Sequence, residues 1–517
     1  MKALMVYPKF PPTYWSYTYA LKFVRRKSLL PPLGLITVAA LLPKHWEPKL
    51  IDLNIESLSD REIKKADVVM LTGMHVQRHS LHEVLKRCRR LGVPTIVGGP
   101  YATSEPHLLE EADYLVLGEA EETMSGFCAA FEAGRAPRVT RNDRMPDVTI
   151  SPVPRFDLLK RHVYHHMSLQ YSRGCPFTCE FCDIIVMFGR TPRTKSSEQI
   201  EAELDGIRST GFRGSVFFVD DNFIGNKKAV RTLMPRVKSW QERNGWPFDF
   251  YTEASLNLAE DSALMTSMAQ AGFESVFIGI ESPSEASLVE TRKPQNVRGS
   301  IVDRVHEVLR HGLDVWAGFI VGFDSDGPDI FEQQIEFIEK SAVPFAMIGI
   351  LHALPGTPLH ARLKDAGRLR PLESTADHFG RTNFETKIPE PALLNGYQRI
   401  LQTIYDPRKY LERVHSMLRI KGKRAHPGWV RPAHILGGMR AVLRQGVLSR
   451  YRFTYWRFLW KTVKWDPSRL ADAIGNAAAG HHFIEYTRRV VIPRLRREHA
   501  LPQLAPLPAR TAGGGGN

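Results

Sequence analysis

The stretch "RGCPFTCEFCD", residues 173–183, contains three of the chain's five cysteines, at Cys175, Cys179 and Cys182. The rest of the 517-residue chain contains only Cys88 and Cys128. Thiolates are preferred ligands of soft metals, and three at this spacing can surround one inorganic site. The stretch therefore predicts a metal centre, and the segments on either side of it predict the fold that presents this centre.

Downstream of the linker, short apolar runs alternate with helical patterns. The runs predicted to be strands are 167–172, 215–221, 248–255, 275–282, 315–323 and 345–354. Six β/α units within residues 166–365 predict a partial TIM-like barrel, because a complete barrel needs eight. Chemistry in such folds lies at the carboxyl ends of the strands, and the cysteine stretch directly follows the first strand.

Residues 1–145 show a similar alternation, which predicts an α/β domain. Its predicted strands are 3–7, 49–53, 68–73, 94–99 and 113–118. Buried strands that alternate with helices indicate a parallel sheet covered on both faces, so we expect a Rossmann-like or flavodoxin-like domain. Cys88 shares one helical face with Leu81, Val84 and Leu85, and we expect Cys88 and Cys128 to fill the core.

The remaining segments differ in composition. Residues 146–165 are rich in proline and polar residues, which is typical of a linker. Residues 366–505 are predicted to be a mainly helical extension, and the glycine-rich end, 506–517, is predicted to be disordered. Residues 401–517 contain 22 Lys and Arg against 6 Asp and Glu, a balance of +16, whereas the whole chain has a net charge of +15. The basic excess therefore lies entirely in the C-terminal segment.

Several protein classes are disfavoured by the sequence. No run of 18 uncharged apolar residues is present, so we expect no membrane-spanning helix. The apolar run at the N-terminus is too short for a signal peptide and fits a first strand better. Few cysteines and no secretion signal argue for a reducing cytoplasm and against a disulfide framework.

Two kinds of metal centre fit the cysteine stretch. Structural zinc usually has four ligands, and C-x-x-x-C-x-x-C offers three, so His162, His165 or His166 would have to supply the fourth. A four-iron, four-sulfur cluster can instead be held by three thiolates, which leaves one iron open to a substrate or cofactor.

The spacing C-x-x-x-C-x-ϕ-C, with the aromatic Phe181 before the last cysteine, resembles the radical S-adenosylmethionine superfamily. The resemblance implies that the three cysteines hold a four-iron, four-sulfur cluster, and that S-adenosylmethionine chelates the open iron. It further implies reductive cleavage of S-adenosylmethionine to a 5′-deoxyadenosyl radical. A one-electron reductant such as flavodoxin or ferredoxin would then be a partner.

The resemblance continues at the ends of the second, third and fourth barrel strands. The matching residues are Asp220, Asp221, Asn222, Glu253, Ser255, Gly279 and Glu281. Asp220, Asp221 and Asn222, after the second strand, take the place of the motif that lies near the amino group of S-adenosylmethionine. The glycines that are usual in this motif are absent. Those of the third strand resemble residues near the ribose and carboxylate, and those of the fourth resemble residues near the adenine. The alternative for each is an ordinary capping role at a strand end.

A Rossmann-like domain before such a barrel resembles the cobalamin-dependent branch of the superfamily. The implied cobalamin-binding residues are Thr72, Gly73, Met74, His75, Gly98, Gly99, Pro100 and Glu119. A dinucleotide-binding domain is the competing interpretation, but no G-x-G-x-x-G follows the first strand. The D-x-H-x-x-G motif that supplies a histidine to cobalt is also missing, so we expect cobalamin without a histidine on cobalt.

Stretches such as "QYSRGCPFTCEFCD" (170–183) and "GSVFFVDDNFIGNKK" (214–228) resemble the subgroup that contains hopanoid C-2 methylases and unassigned relatives. The resemblance implies a C-methyltransferase that acts on an unactivated carbon, with a membrane lipid of the hopanoid type as one candidate substrate. A radical ring-forming or rearrangement enzyme is the alternative within this branch. A metal-stabilised nucleic-acid-binding protein is the alternative of another class, but without a recognised module we expect no nucleic-acid partner.

The basic segment 401–517 contains four tryptophans, Trp429, Trp456, Trp460 and Trp465. Tryptophan and arginine together suit a membrane interface, so we expect an anionic membrane surface as a partner and a peripheral position on its inner face. The alternative is a helical cap with a solvated basic face, in which Tyr451, Tyr455, Phe458 and Trp465 pack inward.

Overall fold

A computed structural model describes residues 1–370, 379–426 and 432–499. Two parallel sheets form from the two alternating segments of the sequence, and helices follow them. The predicted fold class, α/β with a mainly helical C-terminal part, is confirmed. The predicted disordered tail, 506–517, and Trp429 lie outside the described residues, and the predicted domain boundaries stay predictions.

The first sheet consists of six strands. They are β1 (Lys2–Tyr7), β2 (Glu47–Asp52), β3 (Val68–Thr72), β4 (Thr95–Gly98), β5 (Tyr114–Leu117) and β6 (Val139–Arg141). Its helices are α1 (Thr18–Leu21), α2 (Leu33–Leu41), α3 (Asp60–Lys64), α4 (Arg78–Leu91), α5 (Pro100–Ser104) and α6 (Met124–Glu132). The strands are parallel in the order β2-β1-β3-β4-β5-β6, the flavodoxin-like arrangement.

Both faces of this sheet are buried, as the apolar strands require. Cys88 on α4 and Cys128 on α6 are fully buried, in the hydrophobic clusters on the two faces of the sheet. Their predicted role as core residues is therefore confirmed. The edge strand β6 was not predicted, because its three residues are partly exposed and lack an apolar run.

The second sheet also has six parallel strands, and a short two-stranded sheet accompanies it. The strands are β7 (Met167–Leu169), β8 (Ser172–Arg173), β9 (Arg193–Thr194), β10 (Gly214–Phe218), β11 (Phe248–Ala254), β12 (Phe273–Glu281), β13 (Asp314–Val321) and β14 (Phe345–Ile350). The helices are α7 (Ile184–Met187), α8 (Ser197–Ser209), α9 (Lys227–Arg243), α10 (Ser262–Gln270), α11 (Glu285–Glu290), α12 (Pro294–Val297), α13 (Ile301–Arg310), α14 (Ile330–Ser341) and α15 (Pro358–Asp365). The order β14-β13-β12-β11-β10-β7 follows the sequence around an open, partial barrel, as predicted.

One predicted strand of the barrel is wrong in its extent. The run 167–172 was expected to be continuous, but β7 ends at Leu169 and β8 pairs antiparallel with β9 instead. The buried Asp220 carboxylate is the reason, because it accepts hydrogen bonds from the backbone N–H groups of Tyr171 and Ser172. The chain therefore leaves the sheet before it reaches the cysteines.

The C-terminal part is helical in its described residues. Its helices are α16 (Glu390–Ile404), α17 (Pro407–Ile420), α18 (Pro432–Gly446), α19 (Arg452–Trp465), α20 (Leu470–Tyr486) and α21 (Ile492–His499). The N-terminal segment packs against them: the Tyr14 ring stacks on Phe483 with centroids 5.4 Å apart, and its hydroxyl lies 2.6 Å from Thr487 Oγ1. None of the helices in the described ranges is long and apolar enough to cross a bilayer.

Candidate functional site

The cysteine loop begins at Gly174, where the backbone adopts φ +93. A Cβ at this position would lie 2.9 Å from the Thr191 carbonyl oxygen and 3.0 Å from that of Gly189, so only glycine fits. The Cys175 N–H donates to the Gly189 carbonyl oxygen at 3.2 Å. The loop is thus folded back on its own far end, which fixes where the first cysteine lies.

The three polar residues after β10 hold this loop. The Asp221 carboxylate accepts a hydrogen bond from the Gly174 N–H at 2.9 Å, and Asp220 holds the preceding residues. The Asn222 amide bonds the Ser255 hydroxyl at 3.2 Å and points its Nδ2 at Cys175 Sγ, 3.8 Å away. Burial raises the pKa of Asp220 to about 7 and that of Asp221 to about 6. Asp220 therefore acts on the loop backbone, and contact of Asp221 and Asn222 with S-adenosylmethionine stays a prediction.

All three thiols of the loop are free, and Cys179 is buried. The histidines considered as a fourth zinc ligand lie before β7, at the opposite end of that strand from the cysteines. His166 is engaged there, with Nδ1 2.7 Å from the Tyr251 hydroxyl. Within the described ranges, no group of three or more His, Cys, Asp or Glu side chains is placed to hold a single metal ion, and this includes the three thiols of the loop. The donor set is three thiols, which is the set that a cluster with one open iron needs.

Burial raises the pKa of each of the three thiols. The Lys293 ammonium opposes this increase at Cys175 and Cys179. For Lys293 itself, burial would lower the pKa, but Glu281 and Cys179 outweigh it and raise the pKa. A buried cation thus faces thiols that an iron–sulfur cluster would hold as thiolates, so the residues fit the cluster electrostatically.

Lys293 forms a buried ion pair with Glu281 at the end of β12. Glu281 adopts φ +66, a strained backbone for a residue with a side chain, and the β12–β13 register shifts there. A Cβ on Gly279 would lie 2.4 Å from Glu281 Oε1 and 2.8 Å from Lys293 Nζ. The predicted pair Gly279 and Glu281 therefore lies beside the cysteine loop, with glycine making room for the ion pair.

Glu253 lies on β11, one strand away from the Asp220–Asn222 turn. Burial raises the pKa of Glu253 to about 8, and the neighbouring carboxyls Asp221 and Asp220 add to this effect. At neutral pH this carboxyl is therefore mostly protonated. A cavity of 420 Å³ opens nearby and is lined by Asn222, Ser255 and residues of the cysteine loop. Roles for Glu253 and Ser255 in holding the ribose or carboxylate stay predictions.

The predicted cobalamin residues of the first sheet gather at the carboxyl ends of β3 and β4. Gly99 has φ +87, and a Cβ there would overlap Thr72 Oγ1, so this glycine brings the two loops together. Met74 exposes 52% of its surface at this edge, an apolar side chain that suits the face of a macrocycle. Helix α5, which begins at Pro100, contacts α7 of the cysteine loop. Helix α5 therefore places the predicted cobalamin residues next to the cysteine loop.

His75 forms a hydrogen bond through one ring nitrogen and lies close to a carboxylate with the other, whose geometry makes no hydrogen bond. Its Nε2 lies 3.1 Å from Ser104 Oγ, and its Nδ1 lies 3.0 Å from Glu105 Oε2. Burial lowers the pKa of His75, so the ring is neutral. These contacts agree with a hydrogen-bonded loop histidine, and the absence of a histidine on cobalt stays a prediction.

Glu119 forms ion pairs with two arginines, and its predicted role in holding cobalamin stays a prediction. Its carboxylate pairs with Arg173 Nη1 at 2.5 Å and with Arg193 Nη2 at 2.6 Å. Glu121 bonds the other terminal nitrogen of Arg173 at 2.7 Å. These four groups, of which Glu119 is buried and the others are half-buried, join the loop after β5 of the first sheet to the β8–β9 pair that carries the cysteines.

Sequence reasoning missed Arg173, Arg193, Glu121 and Lys293. Arg173 begins the cysteine stretch and Arg193 follows it on β9, and the acidic run "EAEE" (119–122) supplies their carboxylates. That proximity was the available signal, but a pairing across more than 50 residues is not visible without the fold. Phe181 was predicted, and its ring lies 6.0 Å from that of Phe323, packed against a small hydrophobic cluster.

Three segments of the chain match models of known protein families. Residues 23–127 match the B12 binding domain, and residues 169–338 match the radical S-adenosylmethionine superfamily. Residues 357–493 match a domain of unknown function, DUF4070.

Two relatives are similar along most of their length. An uncharacterized methyltransferase of Synechocystis is 42% identical over 494 residues, which covers 94% of this chain and 92% of the relative. The hopanoid C-2 methylase of Rhodopseudomonas palustris is 33% identical over 502 residues, 94% of each chain.

Solved structures share the fold. The radical S-adenosylmethionine methyltransferase TsrM of Kitasatospora setae, with cobalamin and a [4Fe-4S] cluster bound, has a TM-score of 0.60 at 14% identity. The alignment covers 93% of this chain and 99% of TsrM. The cobalamin-dependent enzyme OxsB has a TM-score of 0.58 at 14% identity, with coverage of 96% and 81%.

The cofactors of the chain follow from its two matched domains and from the fit of the cysteine loop. They are cobalamin, S-adenosylmethionine and a four-iron, four-sulfur cluster. Bound together, these groups supply a substrate radical and a methyl group. The chain belongs to the family of cobalamin-dependent radical S-adenosylmethionine methyltransferases that includes the hopanoid C-2 methylase.

Proposed function

We propose that the enzyme methylates an unactivated carbon of an apolar, polycyclic membrane lipid of the hopanoid type. The observation that carries this proposal is the aromatic inner face of the barrel sheet. Residues opposite each other on neighbouring parallel strands share a face, and the pairs Phe217–Tyr251 and Phe277–Trp316 are in register.

These rings form a continuous apolar surface. Phe217 and Tyr251 stack with centroids 4.6 Å apart, and Tyr251 lies 5.6 Å from Trp316. Trp15, from the N-terminal segment, covers Phe277 at 4.9 Å and is 42% exposed. Aromatic walls suit a fused hydrocarbon, because such a ligand is held mainly by contact area.

The polar group among these rings also supports an uncharged substrate. Glu253 is in register with Phe277 on the inner face, and its raised pKa keeps it protonated at neutral pH. A neutral carboxyl can donate a hydrogen bond without placing a charge next to a hydrocarbon.

The partners proposed for this reaction are a one-electron reductant such as flavodoxin or ferredoxin and an anionic membrane surface. We place the enzyme in the cytoplasm, peripherally on the inner face of the membrane. The balance of +16 in residues 401–517 supports this position, since basic groups are attracted to anionic lipid.

The substrate class is tested with S-adenosylmethionine labelled in its methyl group. Anaerobically reconstituted enzyme, with cobalamin and a reductant, is incubated with a fractionated cell extract. The proposal expects label in an apolar lipid fraction, and label confined to water-soluble products would contradict it. Trp15→Ala should lower labelling while 5′-deoxyadenosine still forms, and Trp246→Ala, which removes a ring stacked on His426 away from the inner face, is the matched control.

A further inference from the structure

The structure assigns a membrane-docking role to one face shared by α18 and α19, within the domain of unknown function. We propose that this face inserts its apolar side chains among the headgroups of an anionic bilayer. The docking face is defined by six residues: Ile435, Met439, Leu443, Phe453, Trp456 and Trp460. The inference rests on the proposed function only in taking the substrate to be a membrane lipid.

Apolar side chains on this face are exposed to a degree that is unusual for a folded chain. On α18, Ile435, Met439 and Leu443 follow each other at intervals of four, so they form one stripe, and Met439 is 63% exposed. On α19, Phe453 is 74% and Trp460 65% exposed. Contiguous apolar patches on a protein surface mark sites that contact another protein or a membrane.

The two helices present a single surface. The Trp456 indole N–H donates to the Gly446 carbonyl oxygen at 2.8 Å, which joins α19 to the end of α18. A Cβ on Gly446 would lie 3.0 Å from the Trp456 ring, so glycine permits this close contact. The stripe of α18 therefore continues into the aromatic residues of α19.

The opposite sides of both helices are anchored in the protein. On α19, Tyr455 and Phe458 are buried in the core, as the cap alternative predicted for these two residues. On α18, Arg440 donates to the Phe23 carbonyl oxygen at 2.9 Å. The docking face is thus a fixed surface. Trp465, also expected inside by that alternative, is 40% exposed and packs on the His415 ring at 5.6 Å.

The charges around the docking face select an anionic bilayer as its occupant. Residues 432–465 contain seven Lys and Arg and no Asp or Glu. Two of these cations lie against the exposed rings: Arg452 is 4.8 Å from the Phe453 centroid, and Lys464 is 5.2 Å from the Trp460 centroid. A second copy of the chain would bring like charges together, whereas lipid phosphates would neutralise them.

The length of the two helices fits a pair that lies flat in the interface between the membrane and water. A 15-residue helix such as α18 is about 22 Å long, too short to cross the hydrocarbon core. Tryptophan at the headgroup level and snorkelling arginine or lysine are the usual anchors of such helices.

The docking face is also connected to the proposed substrate site. Arg440 of α18 bonds the Phe23 carbonyl oxygen, and Phe23 belongs to the same N-terminal segment whose Trp15 covers the inner face of the barrel. Docking here would therefore bring the bilayer to the segment that borders the proposed substrate site.

The test is flotation of the full-length protein with vesicles of phosphatidylglycerol and phosphatidylcholine in equal parts. We expect binding that requires phosphatidylglycerol and weakens with salt. The variant M439S/L443S/F453S/W460S should bind more than about tenfold more weakly. Neutralising Arg450, Arg452, Arg457, Lys461 and Lys464 to glutamine should do the same, since each cation near the surface contributes on the order of fivefold. The control variant I150S/V289S removes exposed apolar groups elsewhere and should bind like the parent.

Two readouts separate this inference from the proposed function. With lipid substrate in detergent micelles, the docking-face variant should methylate as fast as the parent, which also shows that it is folded. Parent protein that ignores anionic vesicles, or a docking-face variant that binds them fully, would overturn the docking role. A parent dimer that the variant converts to a monomer would also overturn it, by assigning the face to self-association. Vesicle binding without methylation of any lipid would instead overturn the proposed substrate and leave the docking role standing.

Discussion

Arg173 and Glu119 form a buried ion pair, 2.5 Å between Nη1 and Oε2, across the boundary between the two sheets. Arg173 precedes Cys175 by two residues, and Glu119 follows β5 at the edge predicted to hold cobalamin. Together with the pairs Arg193–Glu119 and Arg173–Glu121, this contact links the cluster loop to the cobalamin side of the site. The pair is positioned to set the separation of these two regions, between which the bound cofactors would transfer the methyl group.

The variant Glu119→Ala tests this role. We expect it to lower the free energy of unfolding by about 3 kcal/mol, because it leaves buried guanidinium groups short of a partner. The amount of methylated product per 5′-deoxyadenosine should also fall, since the two halves of the site lose their common support. Product and 5′-deoxyadenosine are measured together by mass spectrometry.

The control for this prediction is Asp157→Ala, which breaks the exposed pair of Asp157 with Arg155. It should change stability by less than about 1 kcal/mol. An unchanged product ratio in Glu119→Ala would show that the pair is only structural.

The cysteine assignments predict two classes of variant. Replacing Cys175, Cys179 or Cys182 with alanine should abolish bound iron and cleavage of S-adenosylmethionine, because the cluster would keep only two of its three thiolate ligands. Cys88→Ala and Cys128→Ala should keep both properties, since these thiols lie in the core of the first sheet. Iron and sulfide content after anaerobic reconstitution is the measurement, and full activity in Cys179→Ala would refute the assignment.

A methyl group at Gly279 should disturb the site beside the cluster. In Gly279→Ala, the new Cβ would meet the Glu281–Lys293 pair at 2.4 and 2.8 Å. Both atoms are ends of side chains, so the ion pair must shift to make room, at a cost of about 1 kcal/mol, the lower end of the range for overpacking. Cleavage of S-adenosylmethionine should fall about a hundredfold, the effect expected when a binding group moves by about 1 Å.

The matched substitution for comparison is Gly126→Ala on α6, where a Cβ meets nothing within 4 Å. It should leave activity unchanged and stabilise the helix by up to about 1 kcal/mol. Equal behaviour of the two variants would show that Gly279 makes no special room.

The sequence predicted the repeating parts of the molecule better than its individual contacts. Apolar runs such as 68–73 predicted strands because burial on both faces leaves a local pattern, and β3 (Val68–Thr72) confirms it. The break after Leu169 was not predictable, because its cause is Asp220, some 50 residues away. The arginine partners of Glu119 were not predictable for the same reason: its position at a strand end is local, whereas Arg173 and Arg193 come from another sheet.

Acid should loosen the contact between α20 and the N-terminal segment. Burial lowers the pKa of His482 to about 4, and its neutral ring accepts from the Tyr19 N–H and bonds the Tyr14 carbonyl oxygen. Since the folded-state pKa lies below the ordinary value of 6.5, the unfolded chain takes up the proton first as pH falls. The contribution of neutral His482 to the free energy of unfolding is complete above pH 6.5. It should decrease by on the order of 2 kcal/mol by pH 5.

Thermal unfolding of the parent and of His482→Gln between pH 7 and pH 5 checks this prediction. The variant should show a flatter decline, and His107→Gln, at an exposed position, should decline like the parent. A parallel decline in all three proteins would remove His482 as the cause.

The measurement that tests the account most directly follows the methyl group itself. Reconstituted enzyme is given a hopanoid lipid in detergent, a reductant and S-adenosylmethionine labelled in its methyl group, with and without cobalamin. The account predicts labelled lipid and 5′-deoxyadenosine together, and labelled lipid only when cobalamin is present. Labelling that proceeds equally without cobalamin, or 5′-deoxyadenosine that accumulates with no labelled lipid, would contradict it.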